Sequence, residues 1–275
     1  MEIVKTFESL DSEIMCVHRT VDTGEVFFHC HDGYEALLLL DGTVNYYIEQ
    51  TGHRLEHGSL VCVKPYDFHR REVISKDRAY DRITINISMD KMKHLSTDKT
   101  DLSECFHKND GVFMLDREEV SKFVRISGKM MQCMLMSSYG DDVMAENYMR
   151  EILVIINKSS QGEKTIEMPN IMPTQISEII AHIHWHISEK ITVEMLAEEF
   201  HYSPAHISRL FKKITGLTIS QYITQKKIML AKKYLEEGNP PSEVCYLVGF
   251  GNYSHFSRTF MKNVGISPQK YQKGS

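Results

Sequence analysis

Five residues in the first quarter of the chain have the types and spacing that ligand chemistry needs. His29, His31 and Glu35 lie close together, Tyr46 follows, and His69 comes one group of short segments later. Imidazole nitrogen and carboxylate oxygen are a sensible donor set for zinc, iron, manganese or nickel. The same groups can instead donate and accept hydrogen bonds to a small organic molecule in an otherwise apolar barrel. Residue types alone leave both uses open. Spacing names the donors and does not bring them together in space.

Short strands must position these groups. Segments Glu25 to His29, Tyr34 to Leu40, Thr43 to Glu49 and Leu60 to Val63 are separated by Asp41-Gly42, read as a hairpin turn, and by His57-Gly58. Ile83, Ile85 and Ile87 alternate with Thr84 and Asn86. Period-two alternation in several such strands predicts a β-barrel or jelly roll. Gly24, His29-Cys30-His31, Glu35 and Gly42, followed by Gly58, Pro65 and His69, resemble the two cupin motifs, with Asp67 where the second motif usually has glycine. That resemblance implies a cupin-like sensor barrel holding either a divalent metal on His29, His31, Glu35 and His69, as in those cupins that are enzymes, or a small effector in a metal-free pocket lined by His29, His31, Glu35, Tyr46 and His69.

A second kind of chemistry lies near the other end. Thr192 can cap a short helix in which Met195, Leu196 and Phe200 face inward; His201-Tyr202 form a turn, and Ser203-Pro204 restart the chain. In the next helix Ile207, Leu210, Phe211 and Ile214 share one stripe. Ala205, His206, Ser208, Arg209, Lys212 and Lys213 are left facing out, a short-polar and basic surface suited to a DNA groove. About fifty residues later the arrangement repeats: Pro240-Pro241, a short helix, Gly249 at a turn, Asn252 as cap, and a helix whose outer face carries Tyr253, Ser254, His255, Arg258 and Lys262. A helix from about Ser220 to Leu235 joins the two. Arg209 and Arg258 are the expected readers of base edges, since a guanidinium pairs bidentately with guanine, and Lys212, Lys213 and Lys262 are expected on phosphates.

Ser208 to Lys213, Thr215-Gly216, Gly249-Phe250, Phe256 to Phe260 and Gly265 to Pro268 resemble the AraC/XylS family of transcriptional regulators over roughly the last hundred residues. Lys227 stands where that family usually has arginine, Cys245 for alanine, Met261 for lysine and Gln272 for arginine. The resemblance implies that two reading helices enter successive major-groove segments. It further implies a homodimer, a small-molecule effector with sugars the favoured class, double-stranded promoter DNA as partner, contact with RNA polymerase, and action as an activator.

Charge agrees with that division. The net charge of the 275 residues is −5, yet residues 203 to 275 hold eleven Lys and Arg against three Asp and Glu, so the basic charge sits with the reading helices. Six scattered cysteines without paired spacing, a start lacking signal-peptide character and apolar runs too short for a bilayer predict a soluble protein of the bacterial cytoplasm that contacts no membrane.

The expected architecture is two-domain α+β. A cupin or jelly-roll barrel with a helical pair is followed by an all-α double helix-turn-helix domain. The expected limits are 1–95 for the barrel, 96–157 for a helical dimerisation segment, 158–173 for a polar linker and 174–275 for DNA binding. Met residues between 130 and 149 suit either an adaptable interface or a monomer core. His182, His184 and His186 cannot share one helical face and read as surface residues. Ile176, Ile179, Ile180, Ile183 and Ile187 read as one buried stripe. The chain reads as a regulator and not an enzyme. Its rivals are a cupin-type metalloenzyme acting through His29, His31, Glu35 and His69, and a constitutive DNA-binding protein with an inert barrel.

Overall fold

The computed structural model describes residues 7, 8, 10, 12–21, 27–74, 79–161 and 169–274. Two compact units divide the chain: the first runs from Glu8 to Met172, and the second begins at Pro173 and also includes Phe7. In chain order the strands are β1 (Phe7–Glu8), β2 (Ile14–Arg19), β3 (Cys30–His31), β4 (Gly33–Asp41), β5 (Val44–Ile48), β6 (Thr51–Leu55), β7 (Ser59–Val63), β8 (His69–Val73), β9 (Asp81–Ser88) and β10 (Val112–Met114), of which β2 to β10 lie in the first unit. An antiparallel five-stranded sheet runs in the order β10-β7-β4-β9-β2, and a three-stranded sheet in the order β6-β5-β8. Leu37, Leu39, Val61 and Val63 from the first sheet and Val44, Tyr46, Ile48 and Leu55 from the second pack into one apolar cluster between them.

Two strand expectations need correction. Asp41-Gly42 closes no hairpin, because β4 and β5 belong to different sheets; with φ near 100° at Gly42 the chain crosses from one sheet to the other. Of the expected strand Glu25 to His29, Glu25 and Val26 lie outside the described residues, as does Gly24, and His29 makes an isolated bridge to His69. The alternation in β9 is present with an unforeseen sense. Ile83, Ile85 and Ile87 join Ala36, Leu38, Leu60 and Cys62 in a cluster with the helices α2 (Arg117–Met136) and α3 (Asp141–Gln161). Thr84 and Asn86 point the other way, into the barrel, since alternate residues of a strand take opposite faces.

Asp116 starts α2 with a complete capping box, its carboxylate accepting from the Glu118 and Glu119 amides. Phe123, Ile126 and Met130 from α2 and Met149, Ile152 and Ile156 from α3 are buried against the sheet. Met130 and Met149 fill the core, as the core expectation requires, whereas Met134, Met136 and Met144 are exposed, and Leu135 is 84% exposed. The polar stretch expected to begin at residue 158 starts inside α3, which continues to Gln161.

The second unit contains α4 (Thr174–Trp185), α5 (Val193–Glu199), α6 (Pro204–Thr215), α7 (Ile219–Glu236), α8 (Pro241–Leu247), α9 (Tyr253–Val264) and α10 (Pro268–Gly274). Ile176, Ile179, Ile180 and Ile183 form the buried stripe of α4; Ile187 lies beyond its end and is half-buried. Met195 is 52% exposed, not inward, leaving Leu196 and Ala197 to bury α5. The three histidines near the end of α4 are half-buried and do structural work. His184 Nε2 meets the Tyr222 hydroxyl at 2.9 Å, and His182 stacks on His186 and packs edge-on to Phe200.

Candidate functional site

At one end of the barrel, β3, the start of β4 and the start of β8 bring donors together. Nitrogen atoms of His31 and His69 and an oxygen of Glu35 all lie within 4.8 Å of one another. The two rings are oriented by their own backbone. His31 Nδ1 donates to Gly33 O at 2.8 Å and His69 Nδ1 to Asp67 O at 3.0 Å. A carbonyl only accepts, so each Nδ1 carries hydrogen and each Nε2 faces the cluster. Both Nε2 atoms are buried and lack a hydrogen-bond partner; His31 Nε2 stands 3.4 Å and His69 Nε2 3.9 Å from the Glu35 carboxylate.

Glu35 is held from the far side. Tyr46 OH donates to Oε1 at 3.0 Å and Asn86 Nδ2 to Oε2 at 3.2 Å. Burial pushes the Glu35 pKa upward, but the neighbouring His31, His69 and His29 outweigh it and hold the carboxyl below its usual range. Burial lowers the pKa of His31, yet the adjacent carboxylate raises it further, for a net increase. Burial, then the charge of His29, pull His69 down to about 3, so it stays neutral with its Nε2 lone pair directed inward.

His29 was expected among the metal ligands. The converging set is His31, Glu35 and His69; the His29 ring lies 4.3 Å from that of His69 and its Nδ1 donates to Phe27 O. Tyr46 is placed where a pocket residue belongs, 2% exposed and parallel to the His69 ring at 6.1 Å between centroids. Two groups escaped the sequence reading. In the sequence Asn86 reads only as the polar half of an alternation, and its inward direction depends on which face of β9 meets the helices. His53 pairs in register with Tyr46, as does Arg71, so the three side chains share one face of the smaller sheet. His53 is 5% exposed and neither ring nitrogen has a hydrogen-bond partner. Its signal would have been the register of β5 with β6.

In the second unit, α6 and α9 present the expected faces. Ser203 caps α6 by accepting from His206 N, with Pro204 as first helical residue, and Asn252 caps α9 by accepting from His255 N. Ile207, Phe211, Phe256 and Phe260 are buried. Ala205, His206, Arg209, Lys212, Lys213, Ser254, His255, Arg258 and Lys262 are exposed, and Ser208 and Tyr253 half-buried. Arg209 and Arg258 match in detail, each Nε donating to the carbonyl four residues back at 3.2 Å. The turns match too: Tyr202 N donates to Ala197 O and Phe250 N to Cys245 O.

Comparison with known proteins matches both units. Residues 14–153 fit the AraC-like ligand binding domain and residues 196–274 a helix-turn-helix domain. The chain is 42% identical over 94 residues to the uncharacterized HTH-type transcriptional regulator YobQ of Bacillus subtilis, a match covering 34% of this chain and 39% of that protein. It is 24% identical over 262 residues to the HTH-type transcriptional activator RhaS of Salmonella agona, covering 90% of this chain and 87% of that one. The chain thus spans about two fifths of the first relative and most of the second. Among solved structures, apo ToxT K231A from Vibrio cholerae aligns over 96% of this chain and 98% of its own, at 13% identity and a TM-score of 0.40. Among the described residues no helix is long and apolar enough to cross a membrane. With its sensor and reading units both matched, the chain belongs to the AraC family of transcriptional regulators.

Proposed function

We propose that this chain binds promoter DNA through α6 and α9 and that a ligand held at the histidine–carboxylate end of the barrel governs that binding. The observation that carries the DNA half is the duplication itself: two capped helices of equal length with buried aromatic backs and exposed basic fronts. Arg209 and Arg258 read base edges, with His206, Ala205, Ser208, Tyr253, Ser254 and His255 beside them, and Lys212, Lys213 and Lys262 contact phosphates. The test is selection of a binding site from random duplex DNA, followed by titration of Arg209→Ala and Arg258→Ala. Equal affinity of both variants for selected and scrambled duplexes, with wild type discriminating, supports base reading. Unchanged discrimination sinks the assignment.

The sensor half rests on the two buried Nε2 atoms without partners. An imidazole nitrogen so placed beside an ionised carboxylate is a donor awaiting a cation. His31, His69 and Glu35 fit a divalent metal of the zinc, manganese, iron or nickel kind, with Tyr46 and Asn86 orienting the carboxylate. A bound metal would supply a Lewis-acidic contact for an oxygen-bearing effector such as a sugar or hydroxy acid. Metal binding needs a free imidazole lone pair, so it weakens as the histidines take up protons. His53 and His29 extend the effector-contacting set. Thermal unfolding with Zn²⁺, Mn²⁺ or Ni²⁺ checks this: saturation at 100 times Kd should stabilise by about 2.7 kcal/mol, and Glu35→Gln should abolish the gain. No metal response, but a response to sugars or small carboxylates, would favour the metal-free pocket.

The barrel serves sensing and not turnover in this reading, because the groups around Glu35 orient it and supply no separate acid or base. The dimer is assigned to the turn joining α2 and α3, where Leu135, Met136, Tyr139, Val143 and Met144 are exposed together. Leu135→Glu should yield a monomer by light scattering; a dimer that persists places the interface elsewhere. Contact with RNA polymerase, activation and a place in the bacterial cytoplasm complete the proposal.

A further inference from the structure

The segment just before the second unit is fastened to the sensor. Strand β6 is an edge of the three-stranded sheet, and an edge exposes backbone groups that another strand can take. Here Asn170–Met172 takes them. Ile171 N donates to Gly52 O at 2.8 Å, and Asn170 Oδ1 accepts both from Gly52 N at 2.8 Å and from Met172 N at 2.9 Å. Met172 is 4% exposed. Position 52 has to be bare: a Cβ there would stand 2.7 Å from the Tyr47 ring and 3.1 Å from Met172 N. Its φ is not in the left-handed region, so close approach and not backbone conformation selects glycine.

After Met172 the chain has a single residue, Pro173, before α4 begins at Thr174, and the Pro173 carbonyl accepts from Ile176 N. Proline fixes its own φ and disfavours a helical conformation for the residue before it. On the other side, Gly52 adjoins His53, whose cross-strand neighbour Tyr46 donates to Glu35. The latch thus adjoins the DNA-binding unit along the chain and lies one strand from the sensor's polar cluster.

We propose that Gly52 and Asn170 form a regulatory latch: whether Asn170–Met172 is docked on β6 sets the freedom of the DNA-binding unit and hence its affinity for DNA. The bland alternative is that the segment merely covers an edge. The inference rests on the DNA-binding reading and requires no particular effector. Gly52 and Asn170 are positioning residues and touch no DNA.

The test uses the full chain and a duplex that the wild type selects from random sequence. Asn170→Ala removes the acceptor of two amides, Gly52→Ala adds the obstructing methyl, and Asn170→Asp keeps the acceptor. Amide exchange at Ile171 and Met172 reports docking, and DNA affinity is measured on the same samples. We expect both alanine variants to exchange faster and to shift affinity in the same direction by about fivefold or more, the lower end of ordinary coupling between sites. Asn170→Asp should restore both readouts. Faster exchange with unchanged affinity reduces the latch to edge cover and overturns the proposal. So does unchanged exchange in both variants. A wild type that selects no duplex would sink the DNA-binding reading itself, an outcome distinct from wild-type binding that the variants leave unaltered.

Discussion

The two helix-turn-helix units close the same turn with different residues. In the first, His201 takes φ near 57° and its amide donates to Glu198 O; in the second, Gly249 takes φ near 73° and donates to Tyr246 O. Their surroundings explain the choice. A side chain at 249 would collide with the Ser188 carbonyl and come within 2.7 Å of Lys227 Nζ, which itself donates to Glu189 O at 3.1 Å and Gly249 O at 2.9 Å. His201 is exposed, so only backbone conformation opposes a side chain there. Anchorage to α7 differs as well. The first unit packs Phe211 edge-on to Tyr222, whereas the second uses Lys227 and the Gln225–Asn263 hydrogen bond. One turn geometry can therefore be set by conformational preference in an open place and by close approach in a crowded one.

That contrast can be broken at its strongest point first. Gly249→Ala combines a positive φ with a backbone collision and should destabilise the second unit by about 3 kcal/mol or more, read as a lowered thermal midpoint and lost DNA binding. Retention of wild-type stability would show that the turn yields. Lys227→Met leaves the Glu189 and Gly249 carbonyls without their donor, a loss of about 1–3 kcal/mol in chemical denaturation. Since Lys227 takes the family's usual arginine position, Lys227→Arg also tests whether this cavity admits a guanidinium; destabilisation is expected, because Gly249 crowds it. Smaller and opposite in sign, His201→Gly should stabilise by about 1 kcal/mol by relieving the left-handed conformation, and a loss would mean that the imidazole makes contacts that count.

The finest test compares the units with the barrel. Burial lowers the pKa of His53, so the folded state disfavours its proton. Its contribution is intact above the ordinary histidine value and is lost as pH falls below it, because the unfolded chain then binds the proton more readily. His53→Leu should flatten the decline in stability between about pH 7 and pH 5. An unchanged slope would assign the decline to other groups.

Legibility followed the range of the interactions. Ser203, Asn252 and Thr192 were readable as caps because each bonds an amide three residues on, and the buried stripe of α6 and α9 is periodic within one helix. Nothing local distinguishes the two faces of β9. Both are largely buried, so alternation revealed two sets of residues and not which set meets α2 and α3. Met195 departs from its expected place for a related reason: helical spacing places an apolar residue on a face but does not say how far the neighbouring element reaches. The polar stretch before α4 reads as linker because its docking at Gly52 uses backbone groups and the Asn170 side-chain oxygen, which leave no apolar period in the sequence. Of the ligand donors, type and spacing were legible, but the Nδ1 bonds to Gly33 and Asp67 that aim the rings were not.

Strand β9 therefore separates two kinds of change. Its odd-numbered isoleucines meet the helices, while Thr84 and Asn86 meet the barrel interior. A library randomised at 84 and 86 alone would alter what the sensor encounters while leaving the sheet-to-helix packing intact. For anyone retuning the ligand-binding domain of this regulator, a single strand offers specificity and foldability on alternating rungs.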